Sequence, residues 1–319
     1  PRKEEKMGTP YLSVIFPVKN LFQEIGGVLR SVIGQAGDVP MEFLIVDMGS
    51  QDKTVWESFR LLKELSVPGS VIQSGEGTVA RALNAAMAKA SGQYVTFIFA
   101  RRLYQDFLLP YCDAAQKTGA DIIFGTAGVP FGEEWEPLPG LSCLAGILEE
   151  RLLVDISAIL LRRDFLERAR LYFSEGCEYG YSVEFLLKCF CAAESAIRSP
   201  VVLKRNTAYE LHRGSQKPAG ASCFQRVMAC ERVLDFVENR HPEERRILAL
   251  LQERCLPQAV LWCVDLLLRE GTRYQAVQDM LKASGCKKYL KAGRATPWEM
   301  KKRIRLWQTM PWLYRPQKA

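Results

Sequence analysis

The chain has 319 residues, 48% of them apolar and 25% charged, with a net charge of +7. Such a composition excludes a disordered protein and suffices for one large core or two modest ones. No apolar run reaches the roughly 18 residues needed to span a bilayer, and no secretory signal opens the sequence.

The first residues, PRKEEKMGT, are polar and begin without Met. Either Met7 is the natural start or this is an ordinary frayed terminus. Ten cysteines are scattered without any CxxC, and with two histidines in the chain no zinc-ligand spacing exists. They are expected as small core hydrophobes in a reducing cytosol.

Residues 11–16 (YLSVIF) predict a strand closed by Pro17. Ile25, Val28, Leu29, Val32 and Ile33 then recur at the spacing of an amphipathic helix. Residues 42–47 (EFLIVD) predict a second strand ending on an acid, and Thr54 with Glu57 reads as a capping box. The helix it opens carries Val55, Phe59 and Leu62 on its apolar side. Further strands are expected at 70–73, 93–99 and 121–125, separated by helices at 79–90 and near 105–118. Glycine and proline thicken over 125–140, which predicts a long loop. A strand at 153–161, a helix from Asp164 to Arg170, a helix at 183–196 and a short strand at 200–205 follow. From about residue 222 the pattern is entirely helical.

Alternating strands and helices imply βαβ units and a parallel sheet covered on both faces. Ligands of such sheets sit beyond the carboxyl ends of the strands. That rule brings Pro17–Asn20, Asp47–Ser50 and Ala100–Arg102 to one rim.

Five signatures fall in order at these strand and helix ends. They are Pro17-Val18-Lys19-Asn20, Ser31 with Gln35, Val46-Asp47-Met48-Gly49-Ser50-Gln51-Asp52-Lys53-Thr54, Ala82-Leu83-Asn84 and Gly92-Gln93-Tyr94. Together they resemble the bacterial family-2 glycosyltransferases with the GT-A fold. Weaker likenesses continue through Gln105-Asp106-Phe107-Leu108, Phe173-Ser174-Glu175-Gly176 and Tyr209 with His212-Arg213-Gly214-Ser215, so that the resemblance covers residues 11–217. It implies a Rossmann-like α/β fold with a mostly parallel sheet flanked by helices. The expected division is a GT-A domain over 10–217, with a nucleotide half near 10–125 and an acceptor half near 126–217. An all-helical region over 218–319 follows it.

The resemblance also implies a nucleotide-sugar site at Pro17, Val18, Asn20, Asp47, Gly49, Ser50 and Arg81. Asp47 either accepts hydrogen bonds from a nucleoside, as a carboxylate can, or caps the next turn. Lys19 stands where the family has a tyrosine; it reaches a phosphate or is solvated. Arg81, at a helix start, offers a planar fork to an anion. Met48 replaces the second acid of the family's Asp-Asp pair.

Two family elements are missing. The Asp-x-Asp that holds a divalent cation falls on Phe99-Ala100-Arg101, followed by Arg102, and neither residue type supplies the oxygen ligands a hard cation needs. No metal or other cofactor is therefore expected. Arg101 and Arg102 either neutralise the diphosphate in the cation's place or point to solvent and pair with acids. The Gly-Glu-Asp that carries the general base reads Gly180-Tyr181-Ser182. Glu178 is then the candidate base, because Glu184 is turned about 200° away along a helix.

From Lys282 to Lys318 the many Lys and Arg residues face one acid, Glu299, while the rest of the chain nearly balances its charge. Thr296-Pro297-Trp298-Glu299 reads as a capping box opening a basic helix with Met300, Ile304 and Trp307. Basic residues interleaved with tryptophan suit an anionic membrane surface, so residues 294–319 either make a peripheral membrane contact or pack a Trp face on the domain. No nucleic-acid recognition motif is present. The sequence thus leads to a glycosyltransferase-like protein that binds a UDP-sugar without metal and is related to transfer onto a glycan or lipid-linked acceptor. The alternative is a non-catalytic homologue that regulates or binds a partner. The family relation implies a bacterial polysaccharide pathway at the cytoplasmic side of the membrane.

Overall fold

The computed structural model describes residues 9–126, 135–211 and 218–317. In chain order the first elements are β1 (Leu12–Val18), α1 (Ile25–Ala36), β2 (Met41–Asp47), α2 (Thr54–Glu64), β3 (Gly69–Gln73), α3 (Val79–Met87) and β4 (Tyr94–Phe97). Then come β5 (Tyr104–Gln105), α4 (Leu108–Thr118), β6 (Ile122–Phe124), β7 (Glu136–Leu138), α5 (Gly140–Leu148), β8 (Ile159–Arg162) and α6 (Arg163–Arg168). The last mixed stretch holds α7 (Tyr181–Ala192), β9 (Ala196–Arg198) and β10 (Lys204–Arg205). Helices follow: α8 (Gln225–Arg240), α9 (Arg245–Leu250), α10 (Leu256–Arg269), α11 (Tyr274–Ala283) and α12 (Trp298–Thr309).

These elements form two compact units that interleave in sequence. The first spans residues 1–143, 152–176 and 192–214; the second spans 144–151, 177–191 and 215–319. The single boundary expected at 217 is thus crossed by two earlier segments, which carry most of α5 and α7 into the helical unit.

The first unit is built on an eight-stranded sheet in the order β3-β2-β1-β4-β8-β6-β9-β7. Strands β3, β2, β1 and β4 run parallel, and β8 is antiparallel to both β4 and β6. The register sets Val18 beside Asp47 and Asp47 beside Gln73, so the carboxyl ends of the first three strands form one rim. β1 and β2 are buried on both faces, as a helix-covered parallel sheet requires. The α1 stripe is buried as its spacing predicts, apart from a half-buried Ile33, each full side chain contributing about 1.5–3 kcal/mol.

Several local expectations are corrected. β1 runs through Pro17 to Val18, so proline does not end it. Thr54 is the first residue of α2 and not its cap. The Asp52 carboxylate accepts from the Thr54 amide at 3.0 Å and from its hydroxyl, while Glu57 pairs with Arg60. The buried side of α2 is Thr54, Ser58, Leu61 and Leu62, leaving Phe59 exposed and Val55 half-buried. Small hydroxyl residues fit that interior because each has a partner: Leu21 N–H donates to Thr54 Oγ1 at 2.8 Å, and Ser58 donates to the Thr54 carbonyl at 2.7 Å. The strand expected at 153–161 shrinks to β8, preceded by a short 3-10 turn at Ile156–Ala158. The helix expected at 183–196 ends at Ala192, with β9 starting at Ala196, and the strand expected at 200–205 shrinks to β10. Within the glycine-rich stretch, β7 forms at its end while 127–134 lie outside the described residues.

The second unit is helical throughout its C-terminal part. Residues 245–269 make one 25-residue helix, interrupted by a π-helical turn at Leu251–Cys255. Its most apolar 18-residue window is 56% buried within the fold, as in a core helix. In α12, Pro297 occupies the cap position without a side-chain hydrogen bond. Thr296 instead accepts from Gly293 N–H at 2.8 Å and donates to the Glu253 carbonyl, so the expected capping box is absent.

Candidate functional site

The rim of the first unit is knitted by backbone and small side chains. Asn20, at φ +53°, donates its amide to Ser50 Oγ at 2.9 Å and accepts the Gln51 amide on Oδ1 at 2.8 Å. The Met48 amide donates to the Val18 carbonyl at 2.9 Å. The turns after β1 and β2 are thereby fixed to each other, and Pro17, Val18, Asn20, Asp47, Gly49 and Ser50 come together there.

Asp47 is only 5% exposed, and its carboxylate accepts from Gly49 N–H at 3.1 Å and Ser50 N–H at 3.3 Å. It caps its own turn. Gly49 sits at φ +78°, a backbone state that side chains rarely adopt, and a Cβ there would meet Glu76 Cγ at 3.1 Å. The Gly-Ser of this motif thus serves to bend the backbone around the carboxylate.

The next motifs act as ties. Gln35 donates to the Ser31 and Tyr104 carbonyls at 3.2 and 3.0 Å, while Asn206 donates to Ser31 Oγ at 2.7 Å. Asn84 donates to the Phe173 carbonyl at 2.9 Å and Glu175 Oε1 at 3.0 Å, and accepts from Phe173 N–H at 2.9 Å. It locks residues 173–175 to α3. Thr78 caps α3 by accepting from Arg81 N–H at 3.3 Å, and donates to the Glu175 carbonyl at 2.6 Å. The Arg81 side chain is exposed at that helix start, beside the rim. Lys19 is exposed as well.

Beyond β4 the chain turns tightly at Phe99–Arg102, closed by the Arg102 amide donating to the Phe99 carbonyl at 2.9 Å. Residues 204–211 clamp the turn from outside. Leu211 N–H donates to the Ala100 carbonyl at 2.7 Å, Leu103 N–H to Glu210 Oε1 at 3.0 Å, and Arg205 to the Arg101 carbonyl at 3.3 Å. The two arginines of this turn have different surroundings. Arg102 donates to Asp155 Oδ2 at 2.9 Å, and the Tyr104 hydroxyl donates to the same oxygen at 2.8 Å. The Asp155 charge holds the Arg102 guanidinium above its usual range, and burial raises the Tyr104 hydroxyl. Among the described residues, no hydrogen bond or ion pair engages the exposed Arg101 side chain.

Nothing in this turn suits a hard cation. Phe99, Ala100, Arg101 and Arg102 carry no side-chain oxygen, and the nearby carboxylate of Asp155 is already engaged. Among the described residues, no three Asp, Glu, His or Cys side chains converge as metal ligands.

In the second unit, the triplet Gly180-Tyr181-Ser182 opens α7 with Gly180 at φ +96°. Burial pushes the Tyr181 hydroxyl up to about 12. Glu184 is 2% exposed and forms ion pairs with Lys188 at 2.6 Å and Arg232 at 2.7 Å. It is a structural charge. Glu178 is exposed; its amide donates to Gln225 Oε1 at 2.8 Å, which leaves the carboxylate in solvent. His212, Arg213, Gly214 and Ser215 lie outside the described residues. Asp155 and Glu210, which organise the arginine turn, were not singled out from the sequence, because neither belongs to a motif at the strand ends.

Residues 13–158 match the profile of Glycosyl transferase family 2. No curated protein matches the sequence. Among solved structures, Staphylococcus aureus TarS 1–349 in complex with UDP-GlcNAc superposes with a TM-score of 0.68 at 17% identity, covering 93% of this chain and 87% of that one. A longer TarS chain gives 0.58 at 20% identity, covering 76% of this chain and 42% of that one. The mannosyltransferase PcManGT from Pyrobaculum calidifontis, in complex with GDP-Man and Mn2+, gives 0.54 at 17% identity over 96% of this chain and 83% of that one. Sheet order and superposition agree on a GT-A-like fold, and within it residues 13–158 match the family-2 glycosyltransferase profile.

Proposed function

We propose that this domain binds a nucleoside-diphosphate sugar, specifically a UDP-sugar, at the rim of β1, β2 and β4, with Arg101 in the place of the usual divalent cation. The observation that carries this reading is the contrast within the turn. Arg102 is held by Asp155, while Arg101, on a backbone clamped by residues 204–211, presents an exposed guanidinium with no partner among the described residues. A cationic fork carried on a clamped backbone suits a diphosphate oxygen. TarS has been solved with UDP-GlcNAc and with UDP, which supports a uridine donor. The Mn2+ of PcManGT belongs to a chain that this one resembles in fold, and Phe99–Arg102 do not supply a site for it.

In this reading the backbone around Val18 and Asp47 receives the base and ribose, and Arg81 and Arg101 take the diphosphate. Transfer would proceed with inversion onto a glycan or lipid-linked acceptor, Glu178 removing the acceptor proton. A second reading, a non-catalytic regulator that binds donor without transferring it, is favoured by Glu184. That carboxylate is committed to Lys188 and Arg232, so of the two acids beside Gly180-Tyr181-Ser182 only the exposed Glu178 is left to act as base. Ten unpaired thiols accord with a reducing, cytoplasmic location in a bacterial surface-glycan pathway.

Titration calorimetry with UDP and UDP-GlcNAc, with Mg2+, with Mn2+ and with chelator, tests the proposal. Binding that is unchanged by chelator and weakened about tenfold or more by Arg101→Ala is the expected result. Binding that needs metal, or no binding at all, sinks it. Release of free sugar from the donor separates the catalytic from the regulatory reading.

The C-terminal tail adds a membrane contact to this proposal. Ile304 and Trp307 pack inward and Arg303 binds Asp265 at 2.6 Å, yet Trp298 is 68% and Trp312 57% exposed. Lys302 lies 5.2 Å over the Trp298 ring, and Lys302, Arg305 and Arg315 are exposed along the same tail. Exposed tryptophans among cations fit an anionic lipid interface. Sedimentation with phosphatidylglycerol vesicles, lost in the Trp298→Ala/Trp312→Ala double variant and absent with neutral vesicles, is the expected result; indifference to lipid charge or to both tryptophans rules the contact out.

A further inference from the structure

All ten cysteines are free, and Cys223, Cys230, Cys255, Cys263 and Cys286 gather in or against the apolar core of the helical unit. Two of them touch: Cys255 Sγ lies 3.4 Å from Cys230 Sγ. They come from different helices. Cys230 lies on α8, and Cys255 ends the π-helical turn between α9 and α10. A π turn is a local departure from the α ladder that is frequent at functional positions.

Both thiols line a cavity of about 180 Å³ whose walls also include Gly180, Glu184, Arg226 and Gln258. Cys255 is the one cysteine of the ten that is not fully buried. The Cys230 contact, against burial and with help from the Arg226 charge, holds the Cys255 thiol below its usual range. The same contact, together with burial, holds Cys230 well above it. Cys255, the less buried of the two sulfurs on this cavity, is the one an oxidant reaches first, with Cys230 in contact to resolve it.

We propose that Cys230 and Cys255 form an oxidative modification site, a dithiol that hydrogen peroxide converts reversibly into a disulfide. The Cys255 thiolate attacks a peroxide oxygen, the O–O bond breaks, and the leaving hydroxide takes a proton to become water. Cys255 is left as a sulfenic acid. The Cys230 sulfur then attacks the Cys255 sulfur; the S–S bond forms, the S–O bond breaks, and the hydroxyl leaves with the Cys230 proton as a second water. Two thiols lose two electrons and one peroxide is reduced to two waters. Closure asks the sulfurs to approach by about 1.4 Å.

That movement has a neighbour to act on. A Cβ built on Gly180 would stand 3.1 Å from Ala229 Cβ and 3.2 Å from Arg226 Cα, so the turn opening α7 rests directly on α8. Cys230 is the next residue along α8, and the bond would pull on the segment that supports Glu178 and Gly180.

The test uses the full chain, fully reduced and then titrated with hydrogen peroxide, with peptide mass mapping after alkylation. The expected result is one cross-link joining the Cys230 and Cys255 peptides, two hydrogens lighter than the reduced pair. It should form before the other thiols react and be reversed by dithiothreitol. The cross-linked protein should melt several degrees higher than the reduced one. In Cys230→Ser, Cys255 should be trapped as a sulfenic acid that reacts with dimedone. Indiscriminate oxidation, a different pairing, or direct over-oxidation of Cys255 in the wild-type chain overturns the proposal, and wild-type mapping decides even if a variant fails to fold.

Discussion

Arg102 and Asp155, 53 positions apart in sequence, meet at 2.9 Å and fix the turn that follows β4. The carboxylate also accepts from Tyr104 and from the Ser157 amide, so one acid holds three donors. Asp155→Ala therefore strands Tyr104 and frees the turn, and should cost about 2 kcal/mol in urea unfolding. Arg102→Ala should cost less, about 0.5–1 kcal/mol, because more than half of its side chain is exposed. Arg101→Ala should leave stability within about 0.5 kcal/mol of wild type. A stability loss at Arg101 equal to that at Arg102 would remove the distinction on which the diphosphate proposal rests.

The carboxylates around α7 separate in the same way. Glu184 is buried between Lys188 and Arg232, whereas Glu178 stands in solvent. Removing one partner of a buried cluster leaves uncompensated charge, so Glu184→Gln should destabilise the helical unit by about 2–3 kcal/mol. This lies below the full value for buried pairs because Arg232 still sees solvent. Glu178→Gln should leave the melting temperature unchanged while abolishing any transfer to acceptor. Equal stability losses in the two variants would show that Glu178 is structural too.

The fold was legible because its evidence is local. The Val-Asp-x-Gly-Ser turn, the Asn of α3 and the Gly-x-Tyr before β4 each sit at an element boundary, where backbone geometry demands a residue type. The site was less legible because its organisers act over long separations. Neither Asp155 nor Glu210 carries any periodic signal, yet both hold the arginine turn. Asp47 could be read either as a nucleoside contact or as a cap, and its carboxylate is found accepting the Gly49 and Ser50 amides. On α2 the apolar pattern misled outright: Phe59 is exposed while Thr54 and Ser58 are interior, because hydrogen bonds satisfy their hydroxyls. The interleaving of the two units was equally invisible, since α5 and α7 carry no mark in sequence of the unit they join.

Asp52 gives the rim an acid-sensitive stitch. Burial pushes its carboxyl upward, but donors outweigh it: the Thr54 hydroxyl and amide and the Phe22 amide hold it below the usual carboxylate range. A carboxyl that titrates lower when folded contributes stability above its unfolded value of about 4 and loses it as pH falls through the folded value. Asp52→Asn should thus be less stable than wild type at neutral pH by a few tenths to about 1 kcal/mol, a modest figure because the group is largely solvated. The two stability curves should converge in acid. Urea midpoints measured from pH 7 down to pH 3 check this, and a difference that persists unchanged at pH 3 refutes it.

Gly92 and Gly34 offer a matched pair of alanine substitutions with opposite signs. A Cβ on Gly92 would lie 2.6 Å from the Ser13 amide nitrogen and 2.9 Å from the Leu12 carbonyl carbon. Those are backbone atoms of a central strand, which cannot rotate aside. The Gly92 amide also donates to Ser13 Oγ at 2.9 Å, and that hydroxyl donates to Glu42 at 2.7 Å, so displacement would break a chain of buried bonds. Gly92→Ala should cost about 2–3 kcal/mol or prevent folding. Gly34, exposed within α1, has nothing within 4 Å of its missing Cβ. There alanine removes backbone freedom from the unfolded chain without a clash, and Gly34→Ala should stabilise by about 0.5–1 kcal/mol. Thermal melts of the two variants and their double mutant should add, since no atom is shared between the sites; a neutral Gly92→Ala would mean that β1 and the turn before β4 do not approach as closely as the Gly-x-Tyr motif implies.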